Sequence, residues 1–554
     1  MSTTMKPIAA CLALSFAALL PRPGHADRID EVLAQRFAGD WTATCLVAAL
    51  IDGDRVETGR HCADVDRTAA LNGAFEIGSV SKTMNAALLA ALAAEGRLDL
   101  DAPLSRYAPA GARVPERDGT AITLRHLATH TAGLPALPPG FAPKNPADPY
   151  ADLTPEELFA ALGATELTSA PGSAWAYSNF GAMLLSAVVA QASGGDYDAA
   201  LRQRLFAPLG MASTGASTLP DGVRDVAGHR PGGASVPGWR FAPALAGVGG
   251  VRATLDDMVR YAQAQLGRGD APAVKAVAAT HTEQSVVGQP MGLGWMRAPL
   301  NGRTVLAHEG GTGGFSSFVA IDLERDRAVV VLADTALANL GGLGDVGLPL
   351  LDASVPVGKP RTAVAASAEA LAALRGEYRL ANGLTMTLGV REGALTAQVP
   401  GQPAFAMRQD SRGDFFPAGF DALLKPASGG RSFVWVQGGG AVPATRVEPA
   451  AAVRANEGAV GDASRSATPT AEALQAYAGE YPLQPGFALR VYVDGATLMA
   501  QATGQGAFAL DPAGRDRFEA AAFGIVIDFE RGDDGAVRAL HLLQGGGVMR
   551  GERK

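Results

Sequence analysis

The stretch Phe75-Glu76-Ile77-Gly78-Ser79-Val80-Ser81-Lys82-Thr83 leads straight into the apolar run 84–94. On a helix, positions i and i+3 share a face, so Ser79 Oγ and Lys82 Nζ come within hydrogen-bond reach without help from distant sequence. A serine beside a potential base is the arrangement of an activated nucleophile. The chain has seven lysines against forty arginines, and lysine is the cation whose pKa falls readily on desolvation. Taken alone the pattern is weak, because Ser79 after Gly78 also reads as an ordinary helix N-cap. Its weight depends on what surrounds it.

Around this stretch, residues 27–360 read as one mixed domain. A strand pair flanks the hairpin signal Ile51-Asp52-Gly53-Asp54-Arg55, helical patterns cover 79–95, 154–162, 180–192 and 255–266, and strands close the segment at 304–308, 317–323 and 328–333. Strands at both ends with helices between predict an α+β fold, an α/β sandwich whose terminal segments share one antiparallel sheet. The texture changes after residue 365. Leu374-Arg375-Gly376-Glu377-Tyr378 recurs as Tyr477-Ala478-Gly479-Glu480-Tyr481, and Ala397-Gln398 recurs as Ala500-Gln501, both at an offset of 103. Each copy alternates short apolar strands with Gly and Asp turns, which predicts two small all-β barrel-like domains at 365–449 and 471–554. The Ala-, Gly- and Ser-rich segment 450–470 suits a linker.

Residues 1–26 read as a secretory signal, with Lys6 ahead of an apolar stretch from Ile8 to Leu20 and small residues before Asp27. The expected location is therefore periplasmic or secreted. No apolar run is long enough to span a bilayer as a helix. The formal charge of −8 becomes −10 once Lys6 and Arg22 are removed, which argues against nucleic acid as a partner. If the hairpin turns on Gly53 and Asp54, paired positions sum to 107 and Cys45 faces Cys62. An oxidising compartment favours a disulfide there.

Two further stretches carry chemistry. Pro171 to Asn179 precedes an apolar helix and supplies a phenol, Tyr177, for proton transfer and an amide, Asn179, for a substrate carbonyl. His308-Glu309-Gly310-Gly311-Thr312-Gly313-Gly314-Phe315 follows a strand, and its glycines let backbone approach a substrate closely. An N–H near Gly311 can join that of Ser79 in polarising a carbonyl. Each stretch also has a plain structural reading, as a helix cap with a core tyrosine and as a bulged strand exit. The eight histidines lack Cys or acidic partners at ligand spacing, and no nucleotide loop stands out, so neither metal nor cofactor is expected.

In this order, Ser-x-x-Lys, Tyr-x-Asn and a Gly-rich strand motif, the chain resembles the class C β-lactamases and penicillin-recognising serine hydrolases over about residues 30–355. Thr123 to Pro135, Pro208-Leu209-Gly210-Met211 and Gly292-Leu293-Gly294-Trp295 extend the likeness. The resemblance implies a β-lactamase/DD-peptidase-like fold in which Ser79 attacks a carbonyl. Its proton passes to Tyr177 or Lys82, the N–H groups of Ser79 and Gly311 hold the oxyanion, and water resolves the acyl-enzyme. It also implies that Asn179, His308, Glu309 and Gly310 bind substrate. His126 and His130 read as structural.

His308-Glu309-Gly310 stands where the family has Lys-Thr-Gly. Histidine is only partly charged at neutral pH, and a carboxylate facing the site would repel an anionic substrate. His-x-Gly resembles the D-aminopeptidases, the bifunctional D-alanyl peptidases and some esterases of the superfamily, and a D-aminopeptidase relative also carries two C-terminal β-barrels. The expected partner is thus a small-molecule or peptide substrate: a D-amino-acid peptide, a β-lactam or a small ester. A non-hydrolytic penicillin-binding or cell-wall-binding protein is the alternative from another class. The β-domains serve either stability or access, one of them reaching the active site.

Overall fold

The computed structural model describes residues 25–447 and 470–554 apart from 270, 285–287, 382–383, 401–402, 418–419, 421, 438–439, 485–486, 503–506, 515, 521–524, 533 and 545–546. Nearly all of the expected signal segment and linker lies outside the described residues.

A six-stranded antiparallel sheet organises the first part of the chain. Its order is Arg55–Cys62, Cys45–Asp52, Arg327–Ala333, Ser316–Asp322, Arg303–Gly311, Met296–Leu300. The first strand pairs with one near the end of the domain, Leu46 opposite Ala333. Within the hairpin Asp52 faces Arg55 and Cys45 faces Cys62, and the two cysteines form a disulfide with Cα atoms 3.9 Å apart.

The central strands read as unbroken apolar runs because both faces are covered. Val47, Ala49, Ile51, Val330 and Leu332 enter the main core beneath the helices, while Leu46, Ala48, Leu50, Val329 and Val331 pack on the other side. That second face is closed by the helix His25–Phe37, which turns Ile29, Val32, Leu33 and Phe37 inward at helical spacing, and by the helix Gly344–Leu351.

The helix Ser81–Ala94 is apolar on almost every side and buried in the main core, which makes the start of that helix a fixed point of the domain. Around it stand Asn179–Ala192, capped by Ser178, whose side chain accepts from Gly181 N, and Leu255–Gln265, capped by Thr254 accepting from Asp257 N. Pro155–Gly163 begins with a reciprocal Thr154–Glu157 capping box.

Residues 376–446 form eight sequential antiparallel strands, and the last, Gly440–Arg446, pairs back onto the first, Gly376–Leu380, to close a barrel. Residues 479–552 repeat the eight-strand meander, with Lys554 N donating to Glu480 O beside its first strand at 2.9 Å. Each barrel has its own core. The recurrence at offset 103 has a structural cause. Tyr378 OH donates to Leu374 O and Tyr481 OH to Tyr477 O, so each tyrosine ties the first strand to the helical turn ahead of it.

The first barrel is docked on the sandwich. Phe416 stacks on Trp41 with ring centroids 3.6 Å apart, and Phe416 and Leu423 complete the core on the outer face of the sheet. Arg361, buried at the junction, pairs with Asp410 and Asp414, while its backbone N–H donates to Asp40, itself held by Arg36.

Candidate active site

Ser79 lies in a single 3-10 turn, Gly78–Val80, that feeds the helix Ser81–Ala94, so the serine stands just ahead of the α-helix the spacing predicts. Two close approaches set its position. Gly78 takes φ +49 with its missing Cβ 2.6 Å from Gly311 N, and a Cβ on Gly310 would meet Ile77 O at 2.0 Å. Ser317 Oγ donates to the same Ile77 carbonyl at 2.7 Å. The nucleophile turn therefore lies flat against the strand Arg303–Gly311, which runs through Gly310 and Gly311 (paired with Ser317 and Ser316), three residues beyond the predicted strand end. Only glycine permits that contact.

Lys82, 5 % exposed, places Nζ 2.8 Å from Ser79 Oγ and 2.7 Å from Val248 O. Burial lowers its pKa from 10.5 to about 7. The neighbouring Ser79 hydroxyl favours the phenolate of Tyr177, yet burial outweighs it and pushes the phenol up to about 12. The lysine Nζ stands 5.3 Å from the centroid of the Tyr177 ring.

His130 holds this tyrosine from both sides. Its carbonyl accepts from Ala176 N at 2.9 Å, its Nδ1 accepts from Ser178 N at 3.2 Å, and its ring lies 4.4 Å from that of Tyr177. Burial, with Lys82 nearby, lowers its pKa to about 3, so the imidazole remains an acceptor. His126 accepts from Thr123 N in a capping box.

His308 is 2 % exposed and does not line the cavity that holds Ser79. Its Nδ1 lies 2.8 Å from Glu309 O, and burial beside Lys82 lowers its pKa to about 4. Glu309 reaches the cavity wall, but its Oε1 accepts from Leu343 N and Gly344 N at the start of the helix Gly344–Leu351. Burial raises its pKa above the ordinary glutamate value, and the two amides at the positive end of that helix counter this only in part.

Ser79, Tyr177, Asn179, Gly310, Gly311 and Glu309 share one cavity of about 560 Å³. Sequence reasoning missed most of its other walls, because these come from loops without periodicity. Tyr150 stacks on Phe141 and Phe241 and meets Trp239 edge-on, forming an aromatic wall. Glu76 stands behind that wall. It is buried, accepts from Trp239 N at 2.8 Å, and burial raises its pKa to about 7. Its place next to the nucleophile motif was the available signal. Arg230 enters from a hairpin, and Phe420 and Gln437 enter from the first barrel. A separate cleft of about 630 Å³, lined by Asp30, Arg60, Asp256 and Arg260 among others, has neither lysine nor histidine among its described lining residues. Among the described residues no cluster of three or more His, Cys, Asp or Glu is placed to hold a metal ion, and no helix is long and apolar enough to cross a membrane.

Residues 29–340 match the family described as Beta-lactamase. The chain is 33 % identical over 339 residues to the D-alanyl-D-alanine-carboxypeptidase/endopeptidase AmpH of Escherichia coli (strain K12), covering 58 % of this chain and 86 % of that protein. It is 28 % identical over 304 residues to a Beta-lactamase of the same organism, covering 48 % of this chain and 76 % of that protein. The crystal structure of a Beta-lactamase/D-alanine Carboxypeptidase from Yersinia pestis complexed with citrate overlays 59 % of this chain and 98 % of its own, with TM-score 0.49 and 25 % identity.

Proposed function

The chain belongs to the beta-lactamase family and is a serine hydrolase, and from that premise we propose that it is exported and hydrolyses amide bonds of D-amino-acid peptides through an acyl-enzyme on Ser79. The observation that carries the reading is the approach of Lys82 Nζ to within 2.8 Å of Ser79 Oγ at a cavity that Ser79, Tyr177 and Gly311 line together.

The order of proton transfers follows from the two environments. Lys82, with its pKa near 7, is substantially neutral at physiological pH and takes the Ser79 proton as Oγ attacks the carbonyl. The N–H groups of Ser79 and Gly311 receive the oxyanion. Tyr177 keeps its proton in the free enzyme, donates it to the leaving amine and recovers one from Lys82. Water then attacks the ester with the same pair accepting its proton. Asn179, at the cavity wall, is suited to orient the acyl amide.

Similarity to the AmpH peptidase supports a D-alanyl peptide as substrate, while similarity to a Beta-lactamase keeps β-lactams as the second reading. The Cys45–Cys62 disulfide supports export. The test is a panel of an acyl-D-alanyl-D-alanine peptide, D-alanyl anilide, nitrocefin and a short-chain nitrophenyl ester, run with wild type and Ser79→Ala. The peptide is expected to turn over fastest, with every activity lost more than about 1,000-fold in the variant. Full activity in Ser79→Ala refutes the mechanism. Stoichiometric labelling by a fluorescent penicillin without product release assigns a binding protein instead.

A further inference from the structure

The segment that carries Trp239 is a wall with a hollow on each side. Val236, Trp239 and Phe241 line the Ser79 cavity, and the same three line a second cleft of about 510 Å³ behind it, together with Glu76, Asp225, Arg240 and Arg252. Residues 237–241 have no regular secondary structure. A segment backed by packed side chains is held by them, whereas this one depends on the few groups that grip it.

Those groups are two buried carboxylates acting on consecutive backbone amides. Glu76 Oε1 accepts from Trp239 N at 2.8 Å, and Asp148 Oδ1 accepts from Arg240 N at 2.8 Å, with Arg240 Nε donating to its other oxygen at 2.7 Å. Asp148 stands close in sequence to Tyr150, whose ring meets Trp239 edge-on. Glu76 ends the short strand Phe75–Glu76, just ahead of Ser79. Gly238 makes room for the Glu76 carboxylate, since a Cβ there would collide with Oε1, and a Cβ on Gly313 would meet Trp239 Nε1 at 2.7 Å, so the indole lies against the Gly-rich strand motif.

Glu76 has no cation of its own. Arg252, opposite it in the strand pair, donates from Nη1 to Asp225 at 2.8 Å and from Nη2 to Ser217 O at 3.1 Å, and Arg240 is engaged with Asp148. Glu76 Oε2 is buried, and no donor among the described residues meets it in hydrogen-bond geometry. Burial raises the pKa of this carboxyl to about 7, although the neighbouring Thr312 side chain, the Trp239 amide and Arg252 favour the charged form; Asp225 opposes it. The hydrogen bond from Trp239 N is thus charge-assisted above that pH and an ordinary one below it.

We propose that Glu76 is a positioning residue for hydrolysis at Ser79, pinning the Trp239 segment as the wall between the two cavities and so fixing the aromatic face that substrate meets. Glu76 touches no reacting atom, and its role rests on the hydrolase reading given above. The consequence is a selectivity that depends on pH: preference for an aromatic substituent is full when Glu76 is charged and fades as it is protonated.

Three peptides test this: acetyl-D-alanyl-D-alanine, and the same peptide with phenylacetyl in place of acetyl or with D-phenylalanine at the C-terminus. The ratio of kcat/KM between an aromatic peptide and the first cancels the titration of Lys82, which all three share. In wild type the ratio is expected to rise about threefold to tenfold between pH 5.5 and 8.5, with its midpoint at about 7. In Glu76→Gln, which keeps an acceptor for Trp239 N without the charge, it is expected to stay flat. The peptide that shows the rise identifies the end of the substrate that faces Trp239. Trp239 emission, taken as each protein minus its Trp239→Phe counterpart, should titrate through the same midpoint in wild type and in Lys82→Met and stay constant in Glu76→Gln. A ratio that is flat in wild type, a pH dependence that survives Glu76→Gln in protein of unchanged circular dichroism, or Trp239 emission that does not change with pH in wild type overturns the proposal. A wild type that hydrolyses none of the peptides refutes the parent reading instead, and the emission, which needs no turnover, still decides whether Glu76 grips the Trp239 segment.

Discussion

Lys82 works under a physical conflict. A buried ammonium is costly, which is why its pKa falls to about 7, and the same fall supplies the neutral amine that Ser79 needs. Since the base must be deprotonated, kcat/KM should rise with pH through an apparent pKa near 7, read from a pH–rate profile between pH 5.5 and 9. The stability consequence has a definite sign. The folded pKa lies below the ordinary 10.5, so the penalty on the charged lysine is fully present below about pH 7 and fades as pH rises toward 10.5. Lys82→Met should therefore abolish turnover while raising Tm by several degrees at pH 6 and by much less at pH 10, as read by thermal unfolding at both values. The approach of Lys82 to Ser79 was legible in the sequence because the i, i+3 spacing brings the two side chains together locally, whereas Tyr177 reaches the same cavity only through the fold. His130 was legible as structural, but its grip on Ala176 and Ser178 was not, since a clasp across more than forty residues leaves no periodic trace.

Among elements, the decisive contact is backbone against backbone. The turn Gly78–Val80 and the strand Arg303–Gly311 touch through Gly78, Gly310 and Gly311, and this brings Ser79 and Gly311 to one cavity. Gly310→Ala would put a methyl group 2.0 Å from Ile77 O, where only backbone can yield. It should cost more than about 100-fold in kcat/KM through the displaced oxyanion donors and lower Tm as well. Gly53→Ala is the comparison. Its φ is +57 but its Cβ would meet nothing within 4 Å, so it should cost only about 1 kcal/mol and leave kcat/KM intact. Equal losses in the two variants would reduce the glycine contact to a general folding effect. The hairpin register that joins Cys45 to Cys62 could be worked out from one turn, because pairing across a hairpin is arithmetic. The strand extension to Gly311 could not be, because its partners Ser316 and Ser317 lie across a Gly-rich turn that also reads as an exit. The Gly344–Leu351 helix that holds Glu309 was equally hidden, as its run contains Gly347 and Pro349 and lacks a clear cap.

For the whole molecule, the two repeats look equivalent in sequence and are not equivalent in place. The first barrel shares a core with the sandwich through Phe416 and Leu423, shares the buried Arg361 junction, and sends Phe420 and Gln437 into the Ser79 cavity. The second has its own core, built on Tyr481, Leu489, Phe518 and Ile527, and none of its described residues lines that cavity. Repeat detection sees the common meander and cannot see which copy is docked, since docking depends on residues such as Phe416 that lie outside the recurring pattern. Removing residues 365–554 outright would uncover Trp41 and leave Arg361 without its two carboxylates, so loss of activity in that deletion would report misfolding rather than access. Termination after residue 447 avoids the difficulty and should keep kcat/KM within about twofold of the full chain, with the Tm of the remaining unit little changed. In that shortened protein Phe420→Ala widens one wall of the cavity without touching Ser79, Lys82 or Tyr177. It should shift preference toward substrates with bulkier acyl groups by about threefold to tenfold in relative kcat/KM, the range expected when one apolar side chain is removed from a substrate wall. If the ranking of small and bulky acyl groups is the same with and without the Phe420 ring, the first barrel contributes stability alone and the selectivity of the cavity resides in Tyr150 and Trp239.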